Sequence, residues 1–173
     1  MAKIFLTGPV RIGKSTVIRR VLENLPFSVG GIRTQRVDVD PGRRRFVLID
    51  CITGAEFEFA RRCPEGMDVD TEVFEKAGVE AIRRAMDGAD LVLLDELGRM
   101  ELGARKFQRA VFEALDSGKP VLGVIKPESN AFLDAVRSHP GVVVLQVSKE
   151  NRDSLVDVVL GNLESPPGRD GRP

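Results

Sequence analysis

The segment Gly8-Pro9-Val10-Arg11-Ile12-Gly13-Lys14-Ser15 has residue types and spacing suited to holding phosphate. Glycines at its two ends let the backbone bend until N–H groups converge on a β-phosphate. A helix that starts there adds unpaired donors and the positive end of its dipole. Lys14 can bridge β- and γ-oxygens, and the Ser15 hydroxyl can ligate Mg²⁺. Gly8 to Ser15, with Thr16 behind them, form the expected cradle. A second segment, Leu91-Val92-Leu93-Leu94-Asp95-Glu96, is an apolar run closed by two acids. Asp95 is expected to hold Mg²⁺ from the side opposite Ser15. Glu96 is expected to orient and polarise an attacking water. A solvated or helix-capping acid is the plainer reading of Glu96. Arg99 has two readings, a cation for the leaving γ-phosphate or a surface ion pair with Glu96 or Glu101.

These side chains need a scaffold that brings strand ends together. Lys3 to Thr7 reads as a short strand leading into the loop. Ser15 to Leu25 puts Val17, Ile18, Val21, Leu22 and Leu25 on one helical face. Ile32–Val39 and Arg45–Ile52 read as strands joined by a turn at Asp40-Pro41-Gly42, and Glu56–Phe59 as a half-exposed third. Thr71 can cap a helix to Met86. Leu91–Leu94 has the continuous apolar pattern of a buried parallel strand. Helices over Ala104–Leu115, Ala131–Arg137 and Asp153–Leu163 alternate with buried strands Val121–Ile125 and Val142–Val147. This order predicts an α/β domain over 1–164: a mainly parallel sheet, helices on both faces and a β-hairpin insert after the first helix. The Pro-, Gly- and charge-rich stretch 165–173 reads as a disordered tail.

Composition narrows the classes. The chain has 173 residues, one domain's worth, and 26 basic against 26 acidic residues, which is not the basic footprint of a nucleic-acid binder. Cys51 and Cys63 are too few for a disulfide framework or a structural zinc site. No signal-peptide pattern opens the chain, and no apolar run reaches the ~18 residues of a membrane span. A cytoplasmic monomer that binds a nucleoside triphosphate, without nucleic-acid or membrane partners, is expected. Arg43-Arg44-Arg45 reads as a solvated hairpin rim.

Taken together, these segments resemble the nucleoside-triphosphatase family known from thermophiles and as the cancer-related NTPase. The resemblance rests on Phe5-Leu6-Thr7-Gly8-Pro9 leading into Gly13-Lys14-Ser15-Thr16, and above all on Asp95-Glu96-Leu97-Gly98-Arg99-Met100-Glu101-Leu102. Val121-Leu122-Gly123 and Ser148-Lys149-Glu150-Asn151-Arg152-Asp153 add to it. The chain departs from the family where Arg11 or Ile12 stands for a third P-loop glycine. It also exchanges an acid and a base at Arg36 and Asp38, and lacks a Gly-Lys/Arg-Tyr near Gly66-Met67. The resemblance implies a RecA-type P-loop fold, with another strand between those that end in Gly8 and Asp95. It also implies slow Mg²⁺-dependent hydrolysis of ATP, GTP, CTP and UTP to NDP and phosphate. Asn151 and Arg152 either reach the base from the loop after the last strand, where an Arg plane would read no base edge, or cap the final helix. The alternative function is a small-molecule or nucleoside kinase using the same loop, with Arg61-Arg62 as a lid. A GTPase-type switch is disfavoured, because no Asn-Lys-x-Asp segment is present.

Overall fold

The computed structural model describes residues 1–164, so the expected tail lies outside the described residues. Strand β1 (Lys3–Thr7) leads through the glycine loop into α1 (Lys14–Asn24). Four strands follow, β2 (Val29–Asp40), β3 (Arg43–Asp50), β4 (Glu56–Cys63) and β5 (Gly66–Val69). A π-helical turn, Phe74–Gly78, runs into α2 (Val79–Gly88). Then come β6 (Leu91–Leu97), α3 (Arg105–Asp116), β7 (Val121–Ile125), α4 (Ala131–Arg137), β8 (Val142–Gln146) and α5 (Ser154–Glu164).

All eight strands form one sheet in the order β5-β4-β3-β2-β6-β7-β1-β8. The neighbours from β2 through β8 pair parallel, whereas β2 to β5 pair antiparallel. The expected α/β sheet is therefore present, and β7 separates the loop strand β1 from the acid-ended β6. The expected hairpin insert is present as the antiparallel pair β2 and β3. It extends the same sheet, because β2 pairs with β6 along its first half and with β3 along its second.

Alternation along the central strands builds two cores. Leu91 and Leu93 of β6 face α1 and α5, packing with Val17, Ile18, Val21 and Val159. Val92 and Leu94 face α2, α3 and α4, packing with Ile82, Phe107, Val111 and Leu133. In the second core, Phe59 of β4 stacks on Phe74 at 4.8 Å between centroids, and Phe74 on Phe107 of α3 at 5.3 Å. Truncating a buried Phe of this kind costs about 3–5 kcal/mol. The stack clamps the insert to the helical layer.

Several expectations needed correction. β4 runs four residues beyond Phe59, to Cys63, and a Pro64-Glu65 turn joins it to β5, which the sequence reading missed. Arg61 and Arg62 lie within this ladder, opposite Asp68 and Met67, rather than in a lid. Charged side chains end an apolar pattern, yet a peripheral sheet open to water on its faces accommodates them. The strand at Val142 is half exposed, because it sits at the sheet edge with β1 as its one neighbour. Asp70 rather than Thr71 supplies the side-chain acceptor before α2, taking the Glu72 N–H at 3.0 Å.

Candidate functional site

The loop between β1 and α1 wraps around its own lysine. Lys14 Nζ donates to the carbonyls of Gly8 (2.7 Å) and Pro9 (2.8 Å). Burial lowers the Lys14 pKa; Glu96 opposes this, Lys126 adds to it, and Asp95 opposes it. The glycines are needed for shape. Gly8 has φ 141° and Gly13 φ 116°, and a Cβ on Gly8 would stand 2.9 Å from the Val147 carbonyl oxygen. Arg11 has φ 63°, so it, rather than Ile12, occupies the left-handed position suited to a third glycine.

Strand β6 delivers both acids to the same crevice. By alternation Asp95 faces α1, and Glu96 should point to the opposite core. A bulge in the β6–β7 pairing between Asp95 and Leu97 changes the phase. Leu97 instead enters the core of α3, and Glu96 lines the loop cavity. Asp95 shares a hollow of about 450 Å³ with Ser15, Thr16 and Arg33. It is 9% exposed, and burial, with Glu96 adjacent, pushes its pKa up to about 6 against the pull of Arg33 and Lys14. A hydroxyl and a buried, under-compensated carboxylate are hard oxygen donors that fit a Mg²⁺ completing its shell with phosphate and water. No cluster of three His, Cys, Asp or Glu suited to metal exists among the described residues.

Glu96, Lys14, Ser15, Gly8, Arg11 and Gly13 border one cavity of about 550 Å³. Val10 and Thr16 border it as well. Sequence reasoning missed Lys126, which follows the last residue of β7. Its ammonium lies 3.3 Å from Glu96 Oε1, and its stem passes 3.2 Å from where a Cβ on Gly98 would be. Arg137 donates to the Lys126 carbonyl and, at 2.9 Å, to that of Glu128, holding this loop. Its sequence signal was available: Lys126 ends a parallel strand beside β1, and such strand ends line the ligand crevice. The cavity's far wall is the insert, through Arg36, Arg44, Phe46 and Arg62. A roomier hollow of about 650 Å³ lies around Val37, Arg45 and Glu58 and contains no residue of the glycine loop, so chemistry rather than volume locates the site.

Arg99 is exposed and borders a neighbouring hollow of about 170 Å³ with Glu96, Glu101 and Lys126. It forms no ion pair among the described residues, with Glu96, Glu101 or any other acid. Glu101 is 3% exposed and accepts the Gly98 N–H at 3.0 Å. Its burial raises the pKa to about 7, against those backbone hydrogen bonds and Lys126. The Asn151 side chain is engaged within its own loop, accepting from Ser148 N and donating to the Gln146 carbonyl, each at 2.8 Å. Arg152 lies against the glycine loop, its Cδ 3.2 Å from where a Cβ on Gly13 would stand.

The profile of a family described as NTPase matches residues 3–160. The chain belongs to the NTPase family. A relative from Thermotoga sp. (strain RQ2), named nucleoside-triphosphatase THEP1, is 33% identical over 168 residues, covering 94% of this chain and 95% of its own. One of the same name from Methanosarcina acetivorans is 37% identical, covering 92% of this chain and 95% of its own. The crystal structure of THEP1 from the hyperthermophile Aquifex aeolicus superposes with a TM-score of 0.79 at 25% identity, covering 95% of this chain and 100% of that one. No helix among the described residues is long and apolar enough to cross a membrane.

Proposed function

We propose that the protein hydrolyses nucleoside triphosphates to NDP and phosphate, with Mg²⁺, at the cavity between the glycine loop and Glu96. The observation that carries this reading is that Lys14, Ser15 and Glu96 border one cavity, with Asp95 beside Ser15 in the adjoining hollow. The N–H groups of the glycine loop, Pro9 apart, and the Lys14 ammonium hold the β- and γ-phosphates. Ser15 and Asp95 would hold Mg²⁺, which supplies charge neutralisation on the phosphate oxygens when bound. Glu96 orients a water and takes up its proton as the water oxygen bonds to the γ-phosphorus. The bond from the γ-phosphorus to the β–γ bridging oxygen breaks, and NDP keeps that electron pair. Lys126 sits at Glu96 with its charge directed to the same cavity. It fits the role of cation for the departing phosphoryl better than Arg99 does.

Broad use of ATP, GTP, CTP and UTP fits a base site that offers Arg152 as a plane rather than a set of edge-reading groups. Two free thiols suit a reducing cytoplasm. A phosphate-release assay on Lys14→Ala tests the assignment. Activity should fall by on the order of 10²-fold or more with the circular dichroism spectrum unchanged. Chelation by EDTA should abolish turnover, and Asp95→Asn should raise the Mg²⁺ needed. A folded, active Lys14→Ala protein would remove the basis for the reading.

A further inference from the structure

We propose that the inner face of the insert is a second anion subsite, which holds the phosphate of a phosphomonoester across the cavity from the γ-phosphate of a bound NTP. Directly paired residues of antiparallel strands point to one face. The register pairs Asp38 with Arg44 and Arg44 with Arg62, one row across β2, β3 and β4. Arg36 and Phe46 form the next row. Arg36, Arg44, Phe46 and Arg62 all border the cavity that contains Lys14 and Ser15.

The charges on this wall are not balanced internally. Asp38 accepts a hydrogen bond from Arg36 at 2.9 Å and forms an ion pair with Arg44 at 3.3 Å, so one carboxylate serves two guanidinium groups. Arg62 forms no ion pair or side-chain hydrogen bond among the described residues. It stands directly opposite Arg44, a like-charge pairing that costs stability unless an anion bridges it. The outer face has a similar register, with Arg45 opposite Arg61, but there both guanidinium groups have an acid within ion-pair distance. There Glu58 pairs with Arg61 at 2.7 Å and stands 3.9 Å from Arg45. Arg62, on the face toward the glycine loop, is the member of these cross-strand rows left without an acid partner among the described residues. Guanidinium forks match phosphate geometry in bidentate fashion.

A triphosphate does not account for this wall. The glycine loop already supplies N–H donors and Lys14 to that group, on the other side of a cavity of about 550 Å³. That volume is in the range of a complete small-molecule site. The Phe59–Phe74–Phe107 stack fixes β4 to the helical layer, so the wall is a preformed surface. Phe46, half-buried against Phe59, offers an apolar patch beside the arginines to the organic part of the ester.

This inference rests on the glycine loop binding NTP, and the experiment separates the two. The protein is saturated with Mg²⁺ and a non-hydrolysable ATP analogue in chloride buffer, then titrated calorimetrically with inorganic phosphate or with AMP. Saturable binding of either probe is expected, and a preference between them tells a free phosphate from an ester. Arg44→Gln/Arg62→Gln should weaken the probe by about tenfold or more while the analogue's Kd stays within about threefold. Arg62→Lys, which keeps the charge and loses the fork, should fall between and guards against a folding defect in the double variant. Three results overturn the proposal: no saturable binding of either probe, equal binding to wild type and double variant, or weakening of the analogue as large as that of the probe. Failure of the analogue to bind wild type would instead refute the loop assignment.

Discussion

Lys126 Nζ and Glu96 Oε1 lie 3.3 Å apart, at the C-terminal ends of the neighbouring parallel strands β7 and β6. The contact joins the acid proposed to handle water with a second cation close to Lys14. A pair that is about one-third exposed contributes little to stability. Its consequence is positional: the carboxylate is held at the cavity, and a γ-phosphate entering beside it meets two ammonium groups.

Lys126 should therefore matter more to turnover than Arg99. Lys126→Ala is expected to lower kcat by roughly 10–10²-fold. Arg99→Ala, which empties a position outside the loop cavity, should change kcat by less than about threefold. Steady-state phosphate release by both variants checks the ranking. The reverse order would return the cation role to Arg99.

Glu101 should make stability depend on pH. Its folded pKa is raised from 4.5 to about 7, so the folded protein retains a proton that the unfolded chain releases. This contribution is fully present below 4.5 and is lost as pH rises through about 7. It amounts to about 3 kcal/mol at most. Glu101→Gln can still accept the Gly98 N–H and carries no charge to desolvate. It should flatten the fall in Tm between about pH 5 and pH 8 while leaving hydrolysis largely intact. An unchanged Tm profile in that variant would show that Glu101 ionises freely.

The left-handed backbone at Arg11 makes its own prediction. At φ 63° an ordinary side chain costs roughly 1–2 kcal/mol, more if β-branched. Arg11→Gly removes that cost and adds about 0.5–1 kcal/mol of unfolded-state entropy, so its stability should stay close to wild type. Arg11→Val should be less stable than Arg11→Gly by about 1–2 kcal/mol in urea denaturation. Equal midpoints would mean that this loop does not adopt the left-handed conformation.

The sequence was most informative where one residue type has one job. Glycines flanking Lys14 and an apolar run ending in Asp95-Glu96 located the loop, its strand and the acid strand. The alternation of elements gave the parallel sheet. It was silent on the insert's inner face, because pairing of Arg44 with Arg62 depends on strand register, and register is set by partners distant in sequence. Lys126 was missed although a strand between those of Gly8 and Asp95 was expected: one lysine after an apolar strand is unremarkable until it is seen 3.3 Å from Glu96. Asn151 was open between two readings, base contact and a cap for the final helix. In the fold its side chain accepts from the Ser148 N–H and donates to the Gln146 carbonyl, partners that its place after the last strand did not specify.

The most direct test of hydrolysis at this site is phosphate release by Glu96→Gln, with nucleotide affinity measured on the same preparation and Glu101→Gln alongside. Gln keeps the size and hydrogen bonding of Glu96 but cannot take the proton of the attacking water. Lys14, Ser15, Asp95 and the loop backbone remain, so NTP should bind within about threefold of wild type. Turnover should fall by roughly 10²–10⁴-fold, or about 3–5 kcal/mol of transition-state stabilisation. Glu101→Gln should hydrolyse at close to the wild-type rate. Near wild-type turnover by Glu96→Gln, with loss of turnover in Glu101→Gln, would contradict the assignment of the water-handling acid.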